Sequence, residues 1–212
     1  MDGVLVVAPI LVPLAAALAT ALCAARPALQ QALSLAGALL LVGACAALFG
    51  RVEAAGPIRV ALGGWSAPFG IEFAADALSA GLCLVAAAMG LAALLFQLCG
   101  VDAAEPAAGL HPLVHALLAG VGGAFATADL FNLYVWFEVM LIAALGLLVL
   151  RPGPRNLEAA LNYFMLNAAG TLLMLIAAAG LYGTAGHLNF AAIESALRSM
   201  DPARPKIGRA HV

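Results

Sequence analysis

Six long apolar segments dominate this sequence and limit its fold more than any other feature. A helix needs roughly 20 apolar residues to cross a bilayer, and each segment approaches that length. Hydrophobic residues make up 65 % of the chain and charged residues 9 %, whereas soluble domains contain about a quarter charged residues. The sequence therefore predicts an all-α integral membrane protein with about six transmembrane helices. Their predicted bounds are about 4–24, 29–49, 73–98, 110–126, 130–150 and 159–182.

Two stretches outside these spans have patterns of their own. The connection between the second and third spans, residues 50–71, contains a loosely alternating stretch that ends in glycines before Trp65. This pattern predicts a short extended loop or β-hairpin outside the membrane, with Trp65 near the interface. After the sixth span, Asn189 is placed to cap a short helix over residues 190–200 with one apolar face. We expect that C-terminal helix to be interfacial.

Composition and motifs exclude several classes of function. The net charge is −2, and no basic patch of the kind that binds nucleic acid is present. The four cysteines form no CxxC pair, and no phosphate-binding loop occurs. The sequence therefore predicts no nucleic-acid partner, no cofactor, no metal site and no soluble active site.

Glu138 is the sharpest chemical signal in the chain. It is the ninth residue of the fifth span, which places it near the middle of the bilayer. An ionised, unpaired carboxylate there costs several kcal/mol or more, so such residues face the protein interior, pair with a cation or hold a proton. No lysine or arginine falls inside a predicted span. Glu138 is therefore either protonated or paired with a group outside this sequence, and we assign it to an ion path; the alternative is a neutral structural carboxyl.

Two aspartates are further candidates for an ion path, each with a structural alternative. Asp129 lies at the junction of the fourth and fifth spans, where it is also well placed to cap the fifth helix. Asp76 is predicted just inside the third helix, one turn before Ser79. We expect Asp76 to be interfacial and close to water.

Polar side chains on the fourth and sixth spans complete the candidate pathway. His111 and His115 are four residues apart and share a helix face. Their spacing suits a metal pair, but no third ligand is evident, which leaves a helix-end or proton-relay role or an interfacial polar one. Tyr163, Asn167 and Thr171 form a stripe on the sixth helix. In lipid such a stripe turns inward, where it bonds neighbouring helices or water.

The segment Thr127-Ala-Asp-Leu-Phe-Asn-Leu-Tyr-Val-Trp-Phe-Glu-Val-Met-Leu141 resembles the signature around the fifth transmembrane helix of the D-type subunit of Mrp-type monovalent cation/proton antiporters. The same family includes the antiporter-like membrane subunits of respiratory complex I. Further segments also resemble the D-type subunit: 63–71, 75–80, 162–170 and 181–189. The chain departs from the family pattern at Ala77, where arginine often follows the aspartate, and at Ala128, where glycine is usual.

This resemblance implies a role for Glu138 and a set of partners. In the family, the fifth-helix glutamate pairs with a lysine on the seventh helix, and Glu138 matches the glutamate. The implied protein is a multi-pass subunit of the bacterial inner membrane. Its implied partners are the lipid bilayer, other subunits of the assembly, protons and monovalent cations.

Three functions follow from the resemblance. The first is a membrane subunit of a multisubunit Na⁺/proton antiporter, which is an ion transporter and not an enzyme. The second is a proton-pumping membrane subunit of a redox complex, such as a complex I-like NADH:quinone oxidoreductase or a membrane hydrogenase. The third is a fragment that does not transport by itself.

The last six residues, 207–212, have the pattern of a non-native tail. The DNA string ATCGGAAGAGCACACGTC, part of a widely used sequencing adapter, encodes these six residues. We expect that the reading frame ran from natural sequence into adapter at this point. On that interpretation, residues 1–206 are a single membrane domain from the N-terminal part of a larger antiporter-like subunit.

Overall fold

The computed structural model describes residues 2–65, 70–100, 109–150 and 153–200. These residues form seven helices and one small antiparallel sheet. The helices are α1 Asp2–Leu22, α2 Pro27–Ala55, α3 Ala77–Gly100, α4 Leu110–Ala126, α5 Leu130–Leu148, α6 Pro154–Ala185 and α7 Phe190–Met200. The strands are β1 Ile58–Ala61 and β2 Glu72–Ala75. The predicted tail at residues 207–212 lies outside the described residues.

The prediction of an all-α membrane protein is confirmed. Five of the helices, α1, α2, α3, α5 and α6, are long and apolar enough to cross a membrane. The remaining apolar helix, α4, has 17 residues and packs against α1, α2, α3 and α5. It therefore occupies the centre of the bundle, where a shorter helix is covered by protein on several sides.

The predicted ends of three helices were wrong. Helix α6 was expected over residues 159–182 but extends from Pro154 to Ala185. Helix α2 was expected to stop at residue 49 but continues to Ala55, because Val52 is buried in the apolar cluster that includes Val6 and Leu48. Helix α3 was expected to begin at residue 73 but begins at Ala77. Phe73 belongs instead to β2, where its side chain is buried in the same cluster.

The hairpin between α2 and α3 is confirmed. Strands β1 and β2 pair antiparallel, with Ile58 opposite Ala75 and Ala61 opposite Glu72. The connecting turn uses positive φ angles at Gly63 (66°) and Gly64 (76°), a region that side chains with a Cβ rarely adopt. Trp65 follows this turn with 70 % of its surface exposed. The hairpin thus presents an aromatic side chain outward from the end of the bundle.

The short C-terminal helix is also confirmed, together with its cap. Asn189 Oδ1 accepts hydrogen bonds from the backbone N–H groups of Ala191 (3.0 Å) and Ala192 (3.3 Å). Ile193 on its inner face is buried, and Glu194 pairs with Arg198 on the outer face. The N–H of Phe190 donates to the carbonyl of Ala128 at 2.9 Å, so α7 is tied to the turn between α4 and α5.

Glycines on α4 allow its neighbours to approach closely. A Cβ atom at Gly122 would lie 2.4 Å from the carbonyl oxygen of Pro9 on α1, and one at Gly123 would lie 2.1 Å from the ring of Trp136 on α5. Small residues at helix contacts are the usual way in which membrane helices gain van der Waals packing. These contacts fix the spacing of α1, α4 and α5.

Candidate functional site

Glu138 lies near the middle of α5, about 12 Å from the start of that helix. Trp136 and Met140 pack against Gly123 and Gly120 of α4, so that face of α5 points to the bundle centre. Glu138 is two residues from each of them, which at 3.6 residues per turn places it on roughly the opposite face. Its carboxylate therefore points away from α4.

Among the described residues, no cationic side chain forms an ion pair with the carboxylate of Glu138. The side chain is half-buried. The ion pairs within the described ranges join Arg51 to Asp2, Arg59 to Glu72 and Arg198 to Glu194, and none includes Glu138. A deep carboxylate in this setting needs a partner or a proton.

Asp129 has the capping position that its place in the sequence predicted. Its Oδ1 accepts a hydrogen bond from the backbone N–H of Asn132 at 2.8 Å, which satisfies one free donor at the start of α5. The side chain also lines a cavity of about 230 Å³, together with Tyr182 and His187. The structure therefore combines the cap with access to a cavity at this end of the bundle.

The α4–α5 turn is held by polar residues that the sequence interpretation missed. Asn132 Nδ2 donates to Thr127 Oγ1 at 2.9 Å, and both side chains are buried. The backbone N–H of Ala128 donates to the carbonyl of Glu72, whose carboxylate accepts from Asn189 Nδ2 at 2.8 Å. The signal that marks such residues is a Thr, Asn or Glu at the border of a span. Together these bonds join the hairpin, the start of α5 and the start of α7.

Asp76 precedes α3, and its predicted place inside that helix was wrong. Its Oδ1 accepts from the N–H of Ser79 at 2.8 Å, while its own N–H donates to Ser79 Oγ at 2.9 Å. This reciprocal pair of hydrogen bonds caps the start of α3, directly after β2. The hydrogen bond from the Ser79 backbone holds the pKa of the exposed Asp76 carboxyl below its usual value. Asp76 is therefore in contact with water at the end of the bundle, as expected for an interfacial residue.

His111 and His115 share a face of α4 as predicted, but that face is turned into the bundle. Both side chains are buried, and His115 is 0 % exposed. His115 Nε2 lies 3.1 Å from both the hydroxyl and the carbonyl oxygen of Ser34 on α2. The interfacial interpretation of His115 was wrong, because α1 and α2 cover it completely.

Comparison with known proteins connects this geometry to a family. The family described as NADH:quinone oxidoreductase/Mrp antiporter, transmembrane, matches residues 127–207. A probable K⁺/H⁺ antiporter D-type subunit of Rhizobium meliloti is 38 % identical over 164 residues, which cover 77 % of this chain and 30 % of the relative. The Na⁺/H⁺ antiporter D-type subunit of Alkalihalophilus pseudofirmus is 39 % identical over 130 residues, 61 % of this chain and 26 % of the relative. The matched parts of the chain are similar to the D-type subunits of Mrp-type antiporters.

Solved structures agree with this relationship. The archaeal membrane-bound sulfane sulfur reductase matches with a TM-score of 0.85 and 28 % identity, over 95 % of this chain and 41 % of that chain. The Mrp complex from Dietzia sp. matches with a TM-score of 0.81 and 26 % identity, over 93 % of this chain and 39 % of that chain. Respiratory complex I from Thermus thermophilus, at 20 % identity and a TM-score of 0.67, shares the fold.

The relatives are longer than this chain. The chain spans less than a third of the length of the curated antiporter relatives that it matches. The part that matches the antiporter family contains Glu138, the Asp129 cap and the turn that joins α5 to the hairpin. It also contains all of α6.

The polar stripe on α6 bonds its own helix. Asn167 Nδ2 donates to the carbonyl of Tyr163 at 2.8 Å, and Thr171 Oγ1 donates to that of Ala168 at 3.2 Å. The expectation that the stripe bonds neighbouring helices is not met within the described residues. Of the residues of α6, Ala160 and Ala178 are buried, so most of this helix faces outward.

Proposed function

We propose that this chain is the N-terminal part of a membrane subunit of a multisubunit monovalent cation/proton antiporter, and that Glu138 belongs to its proton path. The observation that carries the proposal is the position of Glu138. Its carboxylate lies mid-span on the side of α5 away from α4, without a cation among the described residues. The similarity to antiporter subunits of bacteria supports an inner-membrane location and further subunits as partners.

The chemistry of such a carboxylate follows from its cost in the membrane. An ionised carboxylate in a low-dielectric setting is stabilised by a nearby ammonium group, and loss of that partner leaves an uncompensated charge. The resemblance supplies a candidate partner, a lysine on a seventh helix outside these residues. When the lysine holds its charge close by, Glu138 stays ionised; when that charge moves away, the carboxylate binds a proton. Alternation between these states transfers protons through the middle of the membrane.

The other candidate residues are proposed for further parts of the route. Asp129 lines a cavity at the end of the bundle where α5 begins, and Asp76 is exposed at the same end. Tyr163, Asn167 and Thr171 lie on α6, which packs against α5. Because Glu138 is the only charged residue within α5 and no other deep carboxylate occurs in the described spans, a complete route needs groups beyond these residues.

A second function is favoured by a specific similarity. The sulfane sulfur reductase that shares this fold is described as an archaeal respiratory membrane complex. By that similarity, the same membrane domain would couple proton movement to electron transfer instead of cation exchange. The antiporter proposal is preferred because the curated relatives at 38–42 % identity carry antiporter names.

Isolation of the native assembly distinguishes these two functions. We expect the subunit, affinity-tagged in its own organism and purified in mild detergent, to carry only other membrane subunits of an antiporter. Mass spectrometry of the purified assembly is the measurement, and the untagged strain taken through the same purification is the control. Stoichiometric iron–sulfur or flavin subunits in the assembly would overturn the antiporter proposal and support the redox alternative.

A further inference from the structure

A second group of polar side chains is buried between α1, α2 and α4. Its members, here called the histidine cluster, are Thr20, Gln30, Ser34, His111 and His115. Exposure of Thr20, Ser34 and His115 is 0 %, that of Gln30 is 3 % and that of His111 is 6 %. Burying polar groups in a membrane protein is costly unless each group finds a partner, so a cluster of five requires a physical explanation.

The contacts of His115 favour one tautomer of its ring. Nε2 lies 3.1 Å from both the Ser34 hydroxyl, which can donate or accept, and the Ser34 carbonyl oxygen, which can only accept. A hydrogen on Nε2 satisfies both oxygens, which leaves Nδ1 with an unshared electron pair. Nδ1 is the atom that binds a proton when the ring becomes charged.

The Nδ1 atoms of the two histidines lack protein partners among the described residues. Nδ1 of His115 and Nδ1 of His111 are both buried without a hydrogen bond. Two such atoms on one face of one helix are unusual, because most buried polar atoms in folded proteins bond protein or ordered water. Internal water is the ordinary solution where polar groups converge.

The cluster lies near one end of the bundle and is closed on its inner side. Thr20 is two residues before the end of α1, Gln30 is the fourth residue of α2, and Gln30 Nε2 donates to the Thr20 carbonyl at 2.9 Å. One turn further in, a Cβ at Gly37 would lie 2.6 Å from the Ala16 Cβ and 3.4 Å from the His115 ring. Direct contact between α1 and α2 therefore blocks passage beyond His115.

We propose that internal water bonds Nδ1 of His111 and of His115, and that this hydrated pair binds a proton near the α1–α2 turn, with the contact of Gly37 and Ala16 closing its inner side. It is separate from the Glu138 path, because Trp136 and Met140 of α5 pack on α4 between the two. The site binds protons from one side of the membrane and does not conduct them across.

No charged group of the described residues opposes the bound proton at close range. The side chains that face the pair from α1 and α2 are the uncharged Thr20, Gln30 and Ser34, whereas the charged residues of those helices lie at the opposite end of the bundle. Arg26, in the turn between the two helices, is exposed, and α3 has no charged residue. Glu138 is the only charged residue on α5. Within the described residues, a proton on the pair is therefore surrounded by uncharged side chains and internal water.

Radiolytic hydroxyl labelling of the purified wild-type assembly tests the water. Radicals formed from bound water oxidise the side chains beside it, so we expect oxidation of His111 and His115. Cys45 and Cys83 are the internal control, since they are buried in an apolar cluster and sulfur oxidises more readily than imidazole. Unmodified histidines alongside oxidised surface residues would show a dry cluster and overturn the proposal. This measurement does not depend on the proposed transport function.

His115→Gln tests the proton, and this readout rests on the proposed function. Glutamine keeps a hydrogen-bond donor but cannot titrate, so we expect the pH dependence of cation/proton exchange to lose a step on the acidic side of neutrality. Gln97→Leu is the matched control, because it removes a buried polar atom on α3 that does not titrate and should leave the shape of the pH profile unchanged.

The outcomes separate the two proposals. A His115→Gln profile that superimposes on wild type would overturn proton binding at the cluster. Loss of exchange at every pH, with the variant assembled at the wild-type level, would place His115 on the conducting route and contradict the closed inner side. Absence of exchange in the wild-type assembly would be a failure of the proposed function, with the labelling result still deciding the water site.

Discussion

Replacing Glu138 by glutamine in the full-length subunit is expected to reduce cation/proton exchange to the background level while the subunit remains assembled. Glutamine retains the size and hydrogen-bonding groups of the carboxyl but cannot carry a negative charge. It therefore removes both the attraction for a cationic partner and the site that binds the proton. The measurement is cation-driven dissipation of a pH gradient in inverted membrane vesicles, at matched amounts of subunit.

The control for this variant is Glu194→Gln on α7. Glu194 is exposed and paired with Arg198, and exposed ion pairs contribute about 0–1 kcal/mol to stability. We expect its exchange rate to stay close to wild type. Wild-type exchange in the Glu138 variant, at equal protein level, would assign Glu138 to a structural role and remove it from the proton path.

Replacing Gly122 by alanine is expected to destabilise the bundle. The added Cβ would lie 2.4 Å from the carbonyl oxygen and 2.9 Å from the carbonyl carbon of Pro9. These are backbone atoms, which cannot turn aside as a side chain does, so α1 and α4 must separate. Overpacking of a tight contact costs about 1–3 kcal/mol, and we expect a lower thermal unfolding midpoint in detergent and less folded protein in the membrane.

Gly43→Ala is the matched control for this substitution. Gly43 is also inside a helix, but no atom lies within 4 Å of the Cβ position. Its replacement should leave the midpoint unchanged or raise it, because alanine is favoured over glycine in helices by up to about 1 kcal/mol. A wild-type midpoint for Gly122→Ala would contradict the close approach of α1 and α4.

The helices were predictable from hydropathy, whereas some of their ends were not. The apolar runs are properties of single segments, and so are the caps at Asp129 and Asn189, which depend on neighbours two or three residues away. The extension of α2 to Ala55 and the strand at Phe73 depend on a shared apolar cluster at the end of the bundle. Contacts between distant segments decided those borders, and a single hydropathy profile does not contain them.

The sequence identified one residue of the candidate site but did not predict which helices surround the others. Glu138 was identifiable because a carboxylate in an apolar run is costly wherever the helix packs. The surroundings of His115 were not, because Ser34 is 81 residues away in the sequence and the spacing of the histidines does not say which helix they face. The polar stripe on α6 was expected to bond neighbouring helices or water. Instead, Asn167 and Thr171 bond the nearest carbonyls of their own helix.

Fold similarity alone does not separate cation exchange from redox-driven pumping. Chains of the sulfane sulfur reductase and of the Mrp complex match this chain with TM-scores of 0.85 and 0.81, so both kinds of complex use the same helical arrangement. What distinguishes them is the driving force, which lies outside these residues.

Ion exchange by the purified assembly, in liposomes that contain a pH-sensitive dye and no electron donor, tests the antiporter assignment most directly. We predict that an imposed Na⁺ or K⁺ gradient drives proton movement across the membrane, and that the same assembly with Glu138→Gln moves protons no faster than empty liposomes. Proton movement that occurs only when an electron donor and acceptor are supplied would contradict the antiporter assignment.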